Sequence, residues 1–362
     1  MLSALLWIQL FVIGAQARVY DLYRADYPKG AFCSAIAGAC ASDPTLENAF
    51  FQNPAALTAS GNADWDFDGD YNSSSSLEPG MKSQNETWED QFMGGFGWSN
   101  GEWGIGIGFA GIQDNVDANV TLTDDVGFTH NFPLSSHSTS LEIHLPVSYR
   151  LGKFSLGAAL VANSFKFSID PGLNSLDVRM GFILGVTEQP LPNFRWGAWW
   201  KSPVTNYVNT GFDVPAFGNT LVYNEDLAIH HPWILATGAS YMPWYDARTV
   251  YFDIDTIGTT DHGYLLTYDT YSSTNLGRKT LRKKGRHVAF EPRLGYRMPW
   301  PWPANNKGTL HFGSYLETSR WEGLPDRLHY TSGISYQVLN WLELMGGIDV
   351  AKDFTQLFLT FR

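Results

Sequence analysis

Long apolar runs are missing from this chain. Outside the N-terminus no stretch of about 18 uncharged hydrophobic residues occurs, which excludes a bundle of membrane-spanning helices. Charge is scarce as well: only 17 % of the 362 residues are Asp, Glu, Lys or Arg, against roughly 25 % in a soluble domain. Disorder is not the reason, because 15 % of the residues are aromatic and 44 % hydrophobic. There is no basic surplus either. Lys and Arg number 24 against 36 acids, a net charge of −12, so the cationic surface that nucleic acid requires is absent. Cysteine is reduced to Cys33 and Cys40. On one continuous helix these would stand ~10 Å apart along the axis, beyond what a disulfide tolerates. A bend at Gly38 would bring them together, so a bridge and two free thiols both stay open.

What is present is a fine mixture of polar and apolar residues along almost the whole length. From about residue 62 it resolves into segments of roughly ten residues with period two. Leu141, Ile143, Leu145, Val147 and Tyr149 alternate with Ser140, Glu142, His144, Pro146 and Ser148. Trp65, Phe67 and Tyr71 alternate with Asp64, Asp66, Asp68 and Asp70. Alternation puts one set on each face of a strand, and ~9–11 tilted residues cross a bilayer. Fourteen such segments are legible: 63–72, 90–99, 103–112, 138–150, 154–168, 176–187, 193–201, 232–242, 248–257, 287–297, 308–318, 328–338, 341–350 and 354–361. The connections have a parity. Even-to-odd links are mostly short, as in Asn100-Gly101-Glu102, whereas the odd-to-even links include 73–89, 113–137, 202–231 and 258–286. Bacterial outer-membrane barrels have short periplasmic turns and long external loops in this way. The fold class expected is all-β, a 14-stranded antiparallel transmembrane β-barrel. Trp196, Trp199, Trp200, Trp233, Tyr241, Trp244 and Tyr245 suit the aromatic girdles at the headgroup level.

Residues 1–17 are uncharged and apolar and close on Ala15-Gln16-Ala17, which reads as a cleaved secretory signal. Residues 18–61 do not alternate. Their small residues, with Phe32, Ile36, Phe50 and Phe51 requiring burial, suggest a hatch folded inside the barrel, which then occupies 62–362.

Chemistry-bearing constellations are weak. Asp64-x-Asp66-x-Asp68-Gly69 starts like a calcium loop, but its twelfth position is Ser75 rather than Glu. The nine histidines show no metal-ligand spacing, and no G-x-S-x-G marks a nucleophile. No metal, cofactor or catalytic residue is assigned, and an enzyme is not expected. One dense basic run, from Arg278 to Arg286, falls in the long link before segment ten. Lipopolysaccharide phosphates suit such a run. Arg282, Lys283 and Lys284 are candidates for attracting a substrate carboxylate.

Three stretches carry a resemblance. Residues 31–60, AFCSAIAGACASDPTLENAFFQNPAALTAS, combine small residues with Asn53-Pro54-Ala55. FRWGAWWKSPV at 194–204 follows, then HPWILATGASYMPWYDARTVYFDIDTIG at 231–258 with Asp253 or Asp255 at an acidic position. In this order and spacing the chain resembles the FadL/TodX family of outer-membrane transporters for long-chain fatty acids and aromatic hydrocarbons. The resemblance implies a fourteen-stranded barrel whose lumen is closed by a hatch, with substrate leaving sideways through the wall. Asn53, Pro54 and Ala55 would hold the hatch, and Phe32, Ile36, Phe50 and Phe51 would either face a ligand pocket or fill a core between hatch and wall. A wall opening needs a weakened strand, and interior glycine weakens strands. Gly104, Gly106 and Gly108 are therefore the candidate gate, unless they only make room for hatch side chains. The expected partners are a hydrophobic small molecule and outer-membrane lipid, with the chain acting as a monomer. A general porin and a surface adhesin are the alternatives.

Overall fold

The computed structural model describes residues 29–59, 63–77, 86–123, 129–170, 173–216, 219–243, 247–259, 264–271, 276–282, 288–300, 307–318, 326–352 and 354–362. The signal-like segment 1–17, residues 18–28, Lys283 and Lys284 lie outside them. Three short helices come first: α1 (Ala31–Ala35), α2 (Leu46–Phe51) and α3 (Ala56–Ala59). Six long strands follow: β1 (Ala63–Leu77), β2 (Glu86–Asn100), β3 (Trp103–Thr123), β4 (Thr129–Leu151), β5 (Phe154–Asp170) and β6 (Leu173–Leu191). Next come β7 (Phe194–Lys201), β8 (Val204–Ala216), β9 (Asn219–His231), β10 (Ile234–Tyr241), β11 (Thr249–Ile257), β12 (Tyr264–Tyr271) and β13 (Leu276–Arg282). The chain ends with β14 (Ala289–Pro299), β15 (Gly308–Glu317), β16 (Arg327–Leu339), β17 (Leu342–Ala351) and β18 (Phe354–Phe361).

Fourteen of these strands close a barrel in the order β1-β18-β17-β16-β15-β14-β11-β10-β7-β6-β5-β4-β3-β2, every neighbouring pair antiparallel. They coincide with the fourteen alternating segments of the sequence. Closure leaves no unpaired edge, which is what lets strands cross a bilayer. On β4 the alternation sorts as expected: Leu141, Ile143, Leu145 and Val147 are exposed outward, while Glu142, His144 and Ser148 are buried inward. At one end the links are tight, as where the Asn100 side chain accepts from the Glu102 and Trp103 N–H groups at 2.9 and 2.6 Å. Trp103 and Tyr149 pack at this short-turn end, 4.4 Å between centroids, with Trp103 half exposed, as a girdle requires.

Two expectations fail. The links 202–231 and 258–286 are not plain loops: they contain β8, β9, β12 and β13, paired as a separate sheet in the order β13-β12-β9-β8. This sheet stands beside β6, where the Tyr207 N–H donates to Asp177 at 2.8 Å. The links 73–89 and 113–137 are also largely strand, since β3 and β4 run for 21 and 23 residues. Beyond the bilayer neither face of a hairpin need be apolar, so the pairing continues while the hydrophobic period fades. The wall is therefore uneven. At ~3.3 Å per residue β4 extends ~75 Å, against ~26 Å for the eight residues of β7.

Trp199 is the third correction. It is buried inward against Ala41, Ile183 and Ala236, not in a girdle. Its neighbours Trp196 and Trp200 take the outward parity, and adjacent residues of a strand face opposite ways.

Candidate functional site

Residues 29–59 lie against the inner wall all round the barrel. Helix α1 packs on β1 and β15–β18, α2 on β1–β4 and α3 on β2–β6. The fit depends on inward glycines. A Cβ on Gly157 would lie 2.3 Å from the Ala55 backbone nitrogen, and one on Gly197 2.2 Å from the Ala41 carbonyl oxygen. Gly295 and Gly313 leave the same kind of room for Ile36 and Ala37.

Inside the segment, Cys33 and Cys40 form a disulfide, with Cα atoms 5.7 Å apart. The bend that permits it is at Ala37 and Gly38, with φ of 61° and 75°. Gly38 thus does what the sequence allowed, since glycine takes positive φ without steric cost. Helix α1 starts at Gly30, which has no side chain to cap it. Glu47 supplies the acceptor instead, receiving the Phe32 and Cys33 N–H groups at 3.2 and 3.0 Å.

The Asn53-Pro54-Ala55 motif sits where three parts of the molecule meet. The Asn53 amide donates to the Ala41 carbonyl at 2.8 Å and to the Val186 carbonyl of β6 at 3.2 Å, while its oxygen accepts the Ala55 N–H at 3.2 Å. One side chain therefore fixes its own turn, the preceding loop and the wall.

The four apolar candidates are not brought together. Phe32 and Ile36 belong to a cluster with Tyr251, Met345 and Phe358. Phe50 and Phe51 belong to another with Leu57, Met93 and Ala110. The candidate gate glycines face the second cluster. A Cβ on Gly106 would meet the Phe50 ring at 2.8 Å, on Gly108 the Phe50 Cβ at 2.9 Å, and on Gly104 the Leu57 Cβ at 2.9 Å. Room for the segment is thus one reason for these glycines. The ladder supplies another. Strands β3 and β4 pair from Trp103–Tyr149 to Ile105–Val147 and resume at Gly108–His144, leaving Gly106 and Ile107 unpaired opposite Leu145 and Pro146. Pro146 has no N–H to give to a ladder, and its register with β3 is broken here although the one with β5 continues through Ala159.

Across the lumen the wall is charged. Arg293 Nε donates to Asp255 at 2.8 Å, Nη1 to the Ala37 carbonyl at 2.8 Å, and Nη2 to Glu291. Asp253 accepts the Ala41 N–H at 2.7 Å, Thr331 donates to the Ala35 carbonyl at 2.8 Å, and Asp70 accepts the Ala31 N–H at 2.9 Å. Both residues at the acidic position, Asp253 and Asp255, are thus engaged with the segment or its anchor. Lys29 lies beside this group, and burial, then the Arg293 charge, push its ammonium down to about 8. A second cluster on the other side joins Lys201 to Glu142 at 3.1 Å and Glu142 to His144 at 2.9 Å.

Between the two clusters runs an apolar strip that residue-by-residue reading missed: Ala159, Val161, Ile183, Trp199, Ile234 and Ile257, all buried inward. Its signal was there. The runs GAALVA, GFILGV and PWILA are apolar at both parities, as happens when both faces of a strand meet apolar surroundings. Of the basic candidates, Arg282 ends β13 opposite Leu265. Its side chain, like Lys283 and Lys284, falls outside what is described.

No family model matches the chain, and no curated protein matches it. Solved structures do. The toluene transporter TodX of Pseudomonas putida aligns at TM-score 0.68 and 16 % identity, over 92 % of this chain and 96 % of its own. The monoaromatic hydrocarbon channel CymD aligns at 0.63 and 14 %, covering 92 % and 95 %. A FadL homologue from Pseudomonas aeruginosa aligns at 0.63 and 11 %, covering 92 % and 97 %. The chain has the fold of the FadL/TodX channels.

Proposed function

We propose that this chain is a passive channel of the bacterial outer membrane for small hydrophobic molecules, with residues 18–61 as its hatch. An apolar strip inside the barrel would line a path for such molecules once the segment packed on it through Ala41 moves, and the neighbouring folds that carry hydrocarbons support the reading. The exit follows from solvation. A molecule that prefers hydrocarbon to water gains nothing by entering the aqueous periplasm directly and is better released into the bilayer. The observation that carries this proposal is the unpaired stretch Gly106–Ile107 against Leu145–Pro146, with the buried Phe50 ring lying over Gly106. On the lipid side the same stretch shows only Ile105, Ile107 and Leu145. Withdrawing Phe50 would leave the β3–β4 seam without the side chain that backs it on the lumen side, at the two positions where its ladder is interrupted. Monoaromatic hydrocarbons and fatty acids are both substrates the route would take.

A tether tests this. The Cβ built on Gly108 lies 2.9 Å from Phe50 Cβ, so the two need to part by only about 0.6–0.9 Å to reach the separation a disulfide bridges. The double variant Phe50→Cys, Gly108→Cys is expected to stop uptake of labelled toluene and long-chain fatty acid when oxidised and to regain it on reduction. Wild type treated with reductant controls for the Cys33–Cys40 bridge. Undiminished uptake by the oxidised, cross-linked protein would overturn the hatch-gated exit.

A further inference from the structure

We propose that the short-turn mouth of the barrel holds a binding site for a small aromatic monocarboxylate, between Arg195 and Arg297. The site is a cavity of about 270 Å³ on the side of the segment away from the four-stranded sheet. Its floor is the Asp43-Pro44-Thr45 turn, and its sides include Phe194, Tyr251 and Met242.

The charges are unbalanced in a way that suits a monoanion. Arg297 stacks its guanidinium 5.9 Å from the Phe32 ring centroid and, among the described residues, has no carboxylate partner. Arg195 gives Nη2 to Gln189 at 3.0 Å, while its buried Nε has no acceptor. Asp43 is the one acid in the lining, and its Oδ1 already receives the Thr45 N–H at 3.0 Å. Two cations against one acid leave one positive charge. A carboxylate is the natural complement, since guanidinium groups bind it with paired, charge-assisted hydrogen bonds. Arg297 also borders the adjoining cavity of about 280 Å³, whose own arginine, Arg362, is already matched by Glu343 at 2.9 Å.

Size and lining narrow the class. At ~30 Å³ per water the cavity holds about nine water volumes, the space of a benzoate-sized molecule, with aromatic and thioether side chains for its ring. Because the segment's own turn forms the floor, an occupant would touch wall and segment together. It would stabilise the seated segment by mass action. This site is independent of the lateral exit and lies at the opposite end of the segment from any long-loop capture.

The test uses the full chain in maltoside micelles with 4-fluorobenzoate as probe, followed by ligand-observed fluorine NMR. Binding is expected in wild type and about tenfold weaker or worse in both Arg297→Gln and Arg195→Gln, the loss of a charge-assisted hydrogen bond. Arg362→Gln should bind as wild type does, and 4-fluorobenzamide should not bind. Heat-dependent gel mobility confirms that each variant is folded, and Arg297→Lys, which keeps the charge, should retain part of the affinity. Equal binding of the amide, or undiminished binding by the two folded Gln variants, would overturn the proposal. Toluene uptake by the same variants reports on the channel reading alone.

Discussion

The two sides of the inner wall hold the N-terminal segment by different physics. On the β11–β16 side, polar side chains reach its backbone: Arg293 takes the Ala37 carbonyl, Asp253 the Ala41 N–H and Thr331 the Ala35 carbonyl. On the β2–β4 side the contact is a Phe50 ring and a Leu57 methylene set into spaces left by Gly95, Gly104, Gly106 and Gly108. The first kind of contact is directional and loses a desolvated partner when broken. The second is dispersion and burial, which a neighbouring apolar surface or ligand can replace. A segment held this way has a fixed side and a side that can yield, and the yielding side is the one with the interrupted ladder.

The largest effect should come from Arg293→Met. It removes the guanidinium bonded to both Asp255 and Glu291, leaving only the neighbouring Lys29 charge, and strips the Ala37 carbonyl of its donor; breaking a buried pair costs roughly 3–5 kcal/mol. Hydrogen exchange of residues 31–59 should rise sharply, with a lowered urea midpoint in micelles. Unchanged exchange would mean that the charged side is not the anchor. Removing the disulfide, as Cys33→Ser with Cys40→Ser, comes next. Closing so short a loop constrains the unfolded chain by about 2–3 kcal/mol. Exchange should rise around α1 and leave Phe50 and Leu57 near their former protection. An equal rise at both ends would erase the distinction between the sides.

The barrel was legible because lipid on one face and lumen on the other impose period two, and because turns and loops alternate. Strands β8, β9, β12 and β13 were not, since outside the bilayer nothing imposes that period. Among the site residues, Asn53 could be read as a hatch residue, but its three partners could not, because they lie 12 and 133 residues away as well as two. Arg293 was invisible for the same reason: a single arginine inside an alternating strand looks like any lumen-facing charge. Trp199 could have been placed, since its parity is opposite to that of Trp196 and Trp200. The bridge between Cys33 and Cys40 depended on left-handed backbone angles at both Ala37 and Gly38, which sequence permits at the glycine and does not announce at the alanine.

Glycine substitutions sharpen the comparison at smaller cost. A Cβ on Gly295 would meet the Ile36 carbonyl oxygen at 2.7 Å, which cannot swing aside, whereas on Gly106 it meets the Phe50 ring edge at 2.8 Å, which can. Gly295→Ala should therefore destabilise the seated segment by ~1–3 kcal/mol, the usual range for overpacking, and Gly106→Ala by less. The order should hold in hydrogen exchange across residues 31–59.

The smallest effect should be Thr331→Val, which keeps the shape of the side chain and removes only the hydroxyl that donates to Ala35. A single neutral hydrogen bond is worth about 1 kcal/mol, and the carbonyl it leaves is at the end of α1, where no next turn supplies a donor. Thr331→Ser restores the donor and should restore protection at Ala35 without the methyl. If Thr331→Val instead loosened the segment as much as Arg293→Met, the anchor would be distributed over the polar contacts rather than concentrated at the guanidinium. The fixed side would then open strand by strand, and the proposed gate opposite it would not be the first place to yield.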